Sequence, residues 1–286
     1  MKAGFEITLP VSDYDLEATM TSGQVFAWEK DNNGWVGMVD GTWVRLEALS
    51  HGIRAFTASP QTDWKWLKHF LQSEVGLADL LATFPGDDPH LSAAVKCCYG
   101  LRLLRQSPWE CLASFILSST KQIVQIRQIV RALSMRHGTP VTTPAGHPPA
   151  FAFPTAVQIS RLSENELRDC KMGFRAKYLL TAANRLVAGE LDLEKIRQLP
   201  LPAARAELIK LPGVGEKIAD CVLLFAYDFP TAFPIDVWVA RALSQFYFKG
   251  RKKRLDQLRR FASRHFGPNA GFAQQYLFHH IRTQVG

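Results

Sequence analysis

Apolar and polar positions alternate along the first third of the chain, then give way to a helical period. Gly34-Trp35-Val36-Gly37-Met38-Val39 and Thr42-Trp43-Val44-Arg45-Leu46 flank Asp40-Gly41. Two short β-prone runs joined by Asp-Gly predict a hairpin, because both turn residues tolerate positive φ. Ile53-Arg54-Ala55-Phe56-Thr57 extends an antiparallel meander, and helices are expected near 64–71 and 90–99. Beyond residue 100 the helical period persists. Ser107-Pro108-Trp109-Glu110 reads as a capping box with proline at the first helical position. Ile123, Ile126, Val130 and Leu133 share one helix face, and Gly138 is placed to end it. Residues 139–154 hold Pro140, Pro144, Pro148, Pro149 and Pro154, which predicts a loop rather than an element. Ser163 and Glu166 form a second capping box. Further helices fit 177–187, 202–210, 216–227, 237–247, 254–265 and 271–283. There is no internal repeat. The fold class is therefore α+β: an antiparallel β-sheet domain over 1–90, then a larger all-helical part over 91–286.

Composition agrees with a globular protein. Of 286 residues, 47% are hydrophobic and 21% charged, which excludes a disordered or fibrous chain. No apolar run is long enough to span a bilayer, and the N-terminus lacks the layout of a signal peptide. The expectation is an intracellular protein with no membrane partner and five reduced cysteines. Charge changes the picture more. The net +8 divides into −7 over residues 1–90, +6 over 91–240 and +9 over 241–286. Only the helical part is suited to face a polyanion.

The chemistry-bearing stretch is Leu211-Pro212-Gly213-Val214-Gly215-Glu216-Lys217-Ile218-Ala219-Asp220-Cys221. A helix ends, a glycine-rich turn follows and a second helix begins. Glycines at 213 and 215 let backbone N–H groups around Val214 approach a phosphate, with the positive end of the second helix adding attraction. A plain tight turn between helices would read the same way. Lys217 lies in the first turn of that second helix, where the dipole opposes an ammonium and favours the neutral, nucleophilic amine. A solvated surface lysine is the ordinary alternative. Asp236 precedes the helix at Val237, where an ordinary N-cap is the alternative.

Leu211–Cys221 followed by Phe233-Pro234-Ile235-Asp236-Val237 resembles the helix-hairpin-helix, Gly/Pro-rich loop and aspartate signature of the DNA base-excision glycosylases. More narrowly, four further segments resemble the 8-oxoguanine DNA glycosylase family. These are Ser22-Gly23-Gln24-Val25-Phe26-Ala27-Trp28, Ser114-Phe115-Ile116-Leu117-Ser118-Ser119, Gly173-Phe174-Arg175-Ala176-Lys177-Tyr178 and Gly271-Phe272-Ala273-Gln274 with Leu277-Phe278. The resemblance covers residues 20 to 283 in order. It implies two helical subdomains with the active site in the cleft between them and the hairpin at 202–227. It implies a bifunctional glycosylase and abasic-site lyase of base excision repair, acting as a monomer on double-stranded DNA with oxidised guanine or abasic sites. Lys217 would attack the sugar, and Asp236 would stabilise the positive charge that develops there. Gly23, Gln274, Phe278 and Cys221 would recognise the flipped base. Gly213, Val214 and Gly215 would grip the DNA backbone.

The chain departs from the eukaryotic pattern where the family grips the base opposite the lesion. Thr120-Lys121-Gln122 replaces a run of asparagines, Gln125 an arginine and Phe174 a tyrosine, while Arg175 is retained. Thr120, Gln125, Phe174 and Arg175 are the expected opposite-base contacts, with relaxed cytosine preference. Trp238 replaces a phosphate-contacting histidine. No cofactor is expected. Cys97, Cys98, Cys111, Cys170 and Cys221 lack iron–sulfur spacing, and no Cys/His pairing suits zinc. A monovalent cation at the hairpin is compatible with the motif. His279 and His280 are expected at the surface. The competing readings are an alkylpurine glycosylase without the lysine chemistry and a non-catalytic DNA-binding module. The protein is expected to be DNA-associated, in cytoplasm and nucleoid if bacterial or nucleus if eukaryotic.

Overall fold

The computed structural model describes residues 4–32 and 34–285. Five antiparallel strands form one sheet in the order β1-β5-β4-β3-β2. They are β1 (Gly4–Pro10), β2 (Glu29–Asp31), β3 (Gly34–Val39), β4 (Thr42–Leu49) and β5 (Gly52–Gln61). The predicted hairpin joins β3 to β4: Asp40 and Gly41 take φ of 48° and 76°, and Val39 pairs with Thr42. β1 was not among the expected strands although Phe5-Glu6-Ile7-Thr8-Leu9 alternates; it pairs with β5, as in Leu9 opposite Ile53. Trp35, Val44, Leu46 and Ile53 join a buried cluster with Trp28, Leu67, Phe70 and Leu71. These come from helices α1 (Leu16–Thr21) and α2 (Lys65–Leu71) and the connecting segments. One face of the sheet is thus covered, which is why its strands alternate.

The rest is mostly helical: α3 (Leu77–Leu81), α4 (Pro89–Cys97), α5 (Pro108–Leu117) and α6 (Ile123–His137) come first. The expected 139–154 loop instead contains a small ribbon, β6 (Pro140–Val141) paired with β7 (Ala150–Phe151). A two-residue ribbon leaves its outer side unpaired, so proline is tolerated in it. Then follow α7 (Ala156–Ser160), α8 (Glu164–Leu167), α9 (Arg175–Val187), α10 (Leu193–Ile196), α11 (Leu201–Ile209) and α12 (Glu216–Ala226). The chain closes with α13 (Val237–Tyr247), α14 (Leu255–His265) and α15 (Ala270–Val285).

Helix starts show where local reading held. The Ser163–Glu166 box closes α8, with Ser163 N donating to Glu166 Oε2 at 2.8 Å. The Ser107–Glu110 box does not form, and Ser107 makes no side-chain cap bond. Glu110 turns instead into a cavity between the sheet and α6. Burial, aided by the charge of Asp40, pushes its carboxyl up to about 7. A glutamine box, Gln122 with Gln125, opens α6 instead.

Two helical cores result. One is built from α5 to α12 and includes Leu112, Phe115, Ile116, Leu133, Leu208, Val222 and Phe225. The other joins α4, α13, α14 and α15 through Leu91, Val239, Leu243, Phe266, Tyr276 and Leu277. Buried Asp88 ties the second together. It caps α4 through Leu91 N at 2.9 Å and accepts from Tyr247 Oη at 2.7 Å, with His265 Nε2 at 2.7 Å from the same oxygen. The chain crosses between the cores at Phe233–Asp236, so α12 on one side faces α13 and α15 on the other.

Candidate active site

The hairpin between α11 and α12 is shaped by its glycines. Gly213 takes φ of 83°, and the Tyr178 ring occupies the place of the Cβ it lacks. Gly213 and Gly215 are exposed, whereas Val214 is buried in the first helical core. Val214 N donates to Leu211 O at 3.1 Å. Its amide is therefore spent within the turn, between two exposed glycines, Gly213 and Gly215. A buried ion pair clasps the hairpin, with Arg205 Nε donating to Asp220 Oδ1 at 2.6 Å. Desolvation raises the Asp220 carboxyl to about 6 in spite of that partner.

Lys217 stands one turn into α12. Its Nζ lies 5.1 Å over the ring of Phe115. Phe115 stacks on Phe225 at 5.6 Å and meets the edge of Phe26 at 5.5 Å, so the amine rests on an aromatic floor. Cys221, four residues on, shares that helix face. Burial pushes its thiol up to about 12, so it faces the site as a neutral, polarisable group. Asp236 caps α13: Oδ1 accepts from Trp238 N at 3.0 Å and Val239 N at 2.8 Å. The capping role is real, and with both bonds on Oδ1 the second oxygen is left for the cavity that Asp236 also lines.

Gly23 approaches from the segment between α1 and β2. Its φ is 80°, a conformation that favours glycine. The loop around it is fixed by residues that carry no chemistry. Gln24 is fully buried and donates through Nε2 to Ser22 Oγ at 2.9 Å and to Arg102 O at 2.8 Å; its Oε1 accepts from Leu104 N at 2.6 Å. Gln275 Nε2 donates to Ser22 O at 2.9 Å. On α15, Gln274 is 4% exposed, yet its Oε1 has no hydrogen-bond partner. Such an orphan is costly to bury. One turn on, Phe278 lies close to Gly23.

Gly23, Lys217, Cys221, Asp236, Gln274 and Phe278 thus line one cavity, with Phe115, Phe225, Pro234 and Gln275. Six residues named from four separate stretches of sequence converge there. Its volume is about 40 Å³, small beside the roughly 300 Å³ of ordinary ligand sites. A larger cavity of about 620 Å³ lies between the sheet and α6. Volume points to that one, which also holds a lysine and carboxylates in Lys30, Glu29, Asp31 and Glu110; what sets the smaller apart is the orphan amide oxygen of Gln274 beside Lys217 and Asp236.

The expected opposite-base residues sit apart from this cavity. Arg175 is 3% exposed and points inward. It donates to Ser119 O at 2.7 Å, Met172 O at 3.2 Å and Thr120 Oγ1 at 2.5 Å. Thr120 takes a φ of 56° in that turn. Gln125 Oε1 accepts from Gln122 N at 3.1 Å. Of the four, Phe174 is a large apolar side chain left 51% exposed, and the Arg175 guanidinium lies 4.3 Å over its ring. The histidine expectation fails: His280 is 9% exposed and His279 half-buried. Burial lowers the pKa of both. They face different directions on α15, and both directions are at least half covered. Among the described residues, no three His, Cys, Asp or Glu side chains gather as a metal site. No helix there is long and apolar enough to cross a membrane.

Comparison with known proteins agrees with this geometry. Residues 6–112 match the family described as 8-oxoguanine DNA glycosylase, N-terminal domain, and residues 113–268 match the HhH-GPD superfamily base excision DNA repair protein family. The chain is 31% identical to the N-glycosylase/DNA lyase OGG1 of Arabidopsis thaliana, over 96% of this chain and 79% of that protein. Its fold matches MBOgg1 in complex with a low-affinity DNA ligand, with TM-score 0.94, 30% identity, and coverage of 100% and 98%. It also matches the Clostridium acetobutylicum 8-oxoguanine glycosylase/lyase solved with double-stranded DNA carrying cytosine opposite 8-oxoG. There the TM-score is 0.90 and identity 29%, covering 99% of both chains. With the hairpin, the lysine–aspartate pair and the two-domain match together, the chain belongs to the 8-oxoguanine DNA glycosylases of the HhH-GPD superfamily of base excision DNA repair proteins.

Proposed function

We propose that this chain excises 8-oxoguanine from duplex DNA through a lysine Schiff base and then cleaves the strand by β-elimination. The observation that carries the reading is the convergence of Lys217, Asp236 and the orphan Gln274 Oε1 on one cavity. A base inside a duplex is inaccessible, so the nucleotide must be extruded into a pocket. Gln274 then meets the Watson–Crick edge of the base, Phe278 and the neutral Cys221 thiol flank its ring, and the Gly23 carbonyl accepts the N7–H that the oxidised purine carries and guanine lacks. That one bond is worth about 1–3 kcal/mol of discrimination, because guanine leaves the acceptor facing no donor.

The Lys217 nitrogen attacks C1′ through its lone pair, and the bonding pair of C1′–N9 leaves with the base, which takes up a proton. Asp236, held in orientation by the α13 amides, stabilises the positive charge that develops on the sugar. The attacking nitrogen gives up one proton, the C1′–O4′ bond opens with its electron pair and a proton going to O4′, and a protonated imine is left at C1′. The imine acidifies the C2′ proton, and loss of that proton expels the 3′ phosphate. Exposed Gly213 and Gly215 and the start of α12 grip the backbone, while buried Val214 anchors the turn.

Borohydride trapping tests the reading. The native chain, incubated with a duplex carrying 8-oxoguanine, should form a covalent protein–DNA adduct, and Lys217→Gln should form none. An undiminished adduct in that variant would remove the mechanism.

A further inference from the structure

The face of α15 that bears Gln274 and Phe278 continues by the same four-residue step to Arg282. We propose that Arg282 binds a phosphate flanking the extruded nucleotide, at the mouth of the cavity. This rests on the base-extruding function above and adds a residue that function did not use.

Three observations place it. Arg282 Cζ lies 5.0 Å over the Phe278 ring. Its Nη1 lies 3.4 Å from where a Cβ on Gly23 would stand. That same Nη1 is buried without a hydrogen-bond partner, so a cationic donor beside two residues of the cavity wall, Phe278 and Gly23, lacks an acceptor. The surrounding charges narrow what it meets. Asp236 attracts it and Arg127 repels it, while His279 lies beside it. Asp236 Oδ1 already holds the cap of α13, and Arg127 Nη2 is bound to Met20 O at 3.3 Å. The oxidised purine is neutral, so the anion that arrives with it is the phosphodiester. Extrusion turns the flanking phosphates toward the pocket mouth, and a guanidinium fork fits them.

The test is a mutant cycle on binding, read by fluorescence anisotropy. The probe is a duplex with a tetrahydrofuran abasic analogue, compared with the undamaged duplex. Arg282→Gln should weaken binding to the analogue duplex roughly 10- to 100-fold. Binding to undamaged DNA should change less than about twofold, since its nucleotides stay stacked. The slope of log K against log salt should fall by about 1 on the analogue duplex alone. Arg282→Lys should restore part of the loss. A neutral methylphosphonate at the contacted linkage should cost the native chain the same factor and Arg282→Gln nothing further. Native-like binding by Arg282→Gln overturns the proposal, as do penalties that add independently at both flanking linkages. Equal weakening on both duplexes with a lowered thermal midpoint overturns it in favour of packing. Excision of 8-oxoguanine by the native chain is scored separately: its absence removes the parent function, whereas excision with an additive cycle removes only this role for Arg282.

Discussion

Arg205→Met isolates the electrostatic clasp of the hairpin. Methionine keeps an unbranched apolar stem and deletes the guanidinium that donates to Asp220 at 2.6 Å. The Asp220 side chain is 1% exposed, and its Oδ2 has no partner among the described residues. Its carboxyl already stands at about 6, against an ordinary value of about 3.9. A shift of that size corresponds to about 3 kcal/mol of penalty on the ionised form, even with Arg205 in place. Without the arginine, a buried carboxylate would be left unpaired, at about 3–5 kcal/mol. The sign follows from the direction of the shift. A folded value above the unfolded one means that the contribution of Asp220 is fully present below about pH 4 and is lost as pH rises through 6. Near pH 5 the folded state keeps the proton in both proteins, so the variant should lose well under ~1 kcal/mol there. Thermal midpoints should fall by roughly 10 °C at pH 8 and by about 2 °C at pH 5. Asp220→Asn should raise the midpoint at pH 8. An equal fall at both pH values would show that the arginine stem, not its charge, holds the hairpin, and would refute this account.

Gly23→Ala should cost about 1–2 kcal/mol of stability from its φ of 80°. Its Cβ would stand 2.8 Å from Ile123 Cδ1 and 3.3 Å from Phe278 Cε1, narrowing the cavity. Single-turnover excision should drop by about 100-fold or more, through lost alignment of the base, with binding to undamaged DNA unchanged; full excision would contradict the placement of Gly23. Excision opposite each of the four bases should vary by less than about tenfold, because Gln125 is engaged in capping α6 and Arg175 in holding Ser119 and Thr120. A cytosine preference of about a hundredfold would refute that.

What the sequence revealed depended on how locally each feature is determined. Asp40-Gly41 makes its hairpin and Ser163–Glu166 its box because both partners lie within four residues. Helix α13 was legible to the residue, since Asp236 caps it and its apolar face is regular. The Ser107–Glu110 box failed although its local pattern was as good, because Glu110 lines a cavity under the sheet. The Gln24 anchor depends on partners 78 and 80 residues away, which no window detects; β1 alternates locally, and only its pairing with β5 lay beyond a window. The helix-start positions of Lys217 and Asp236 left a surface lysine and an ordinary cap open, and their roles came from the resemblance. Arg282 was one step along a face already marked by Gln274 and Phe278. Spacing groups residues on a face but leaves open how far the cavity extends along it. His279 and His280 failed for the complementary reason: they face different directions on α15, and both directions, expected at the surface, are at least half covered.

In the proposed reaction the cap of α13 and the charge-stabilising role fall on one side chain, Asp236. A capping aspartate and a charge-stabilising aspartate compete as readings of sequence, but in space they support each other. The amides of Trp238 and Val239 hold Oδ1 where a helix begins. The fixed oxygen prevents rotation, so the other stays directed at the cavity without any cost of reorganisation during reaction. Lys217 enters the same cavity from the first turn of α12. Two helix N-termini therefore converge on one small volume, and their combined field favours anions there. A carboxylate facing a developing sugar cation and phosphates at the rim are the groups such a field holds. The acidic sheet domain sends into that field only Gly23, which carries no charge to oppose it.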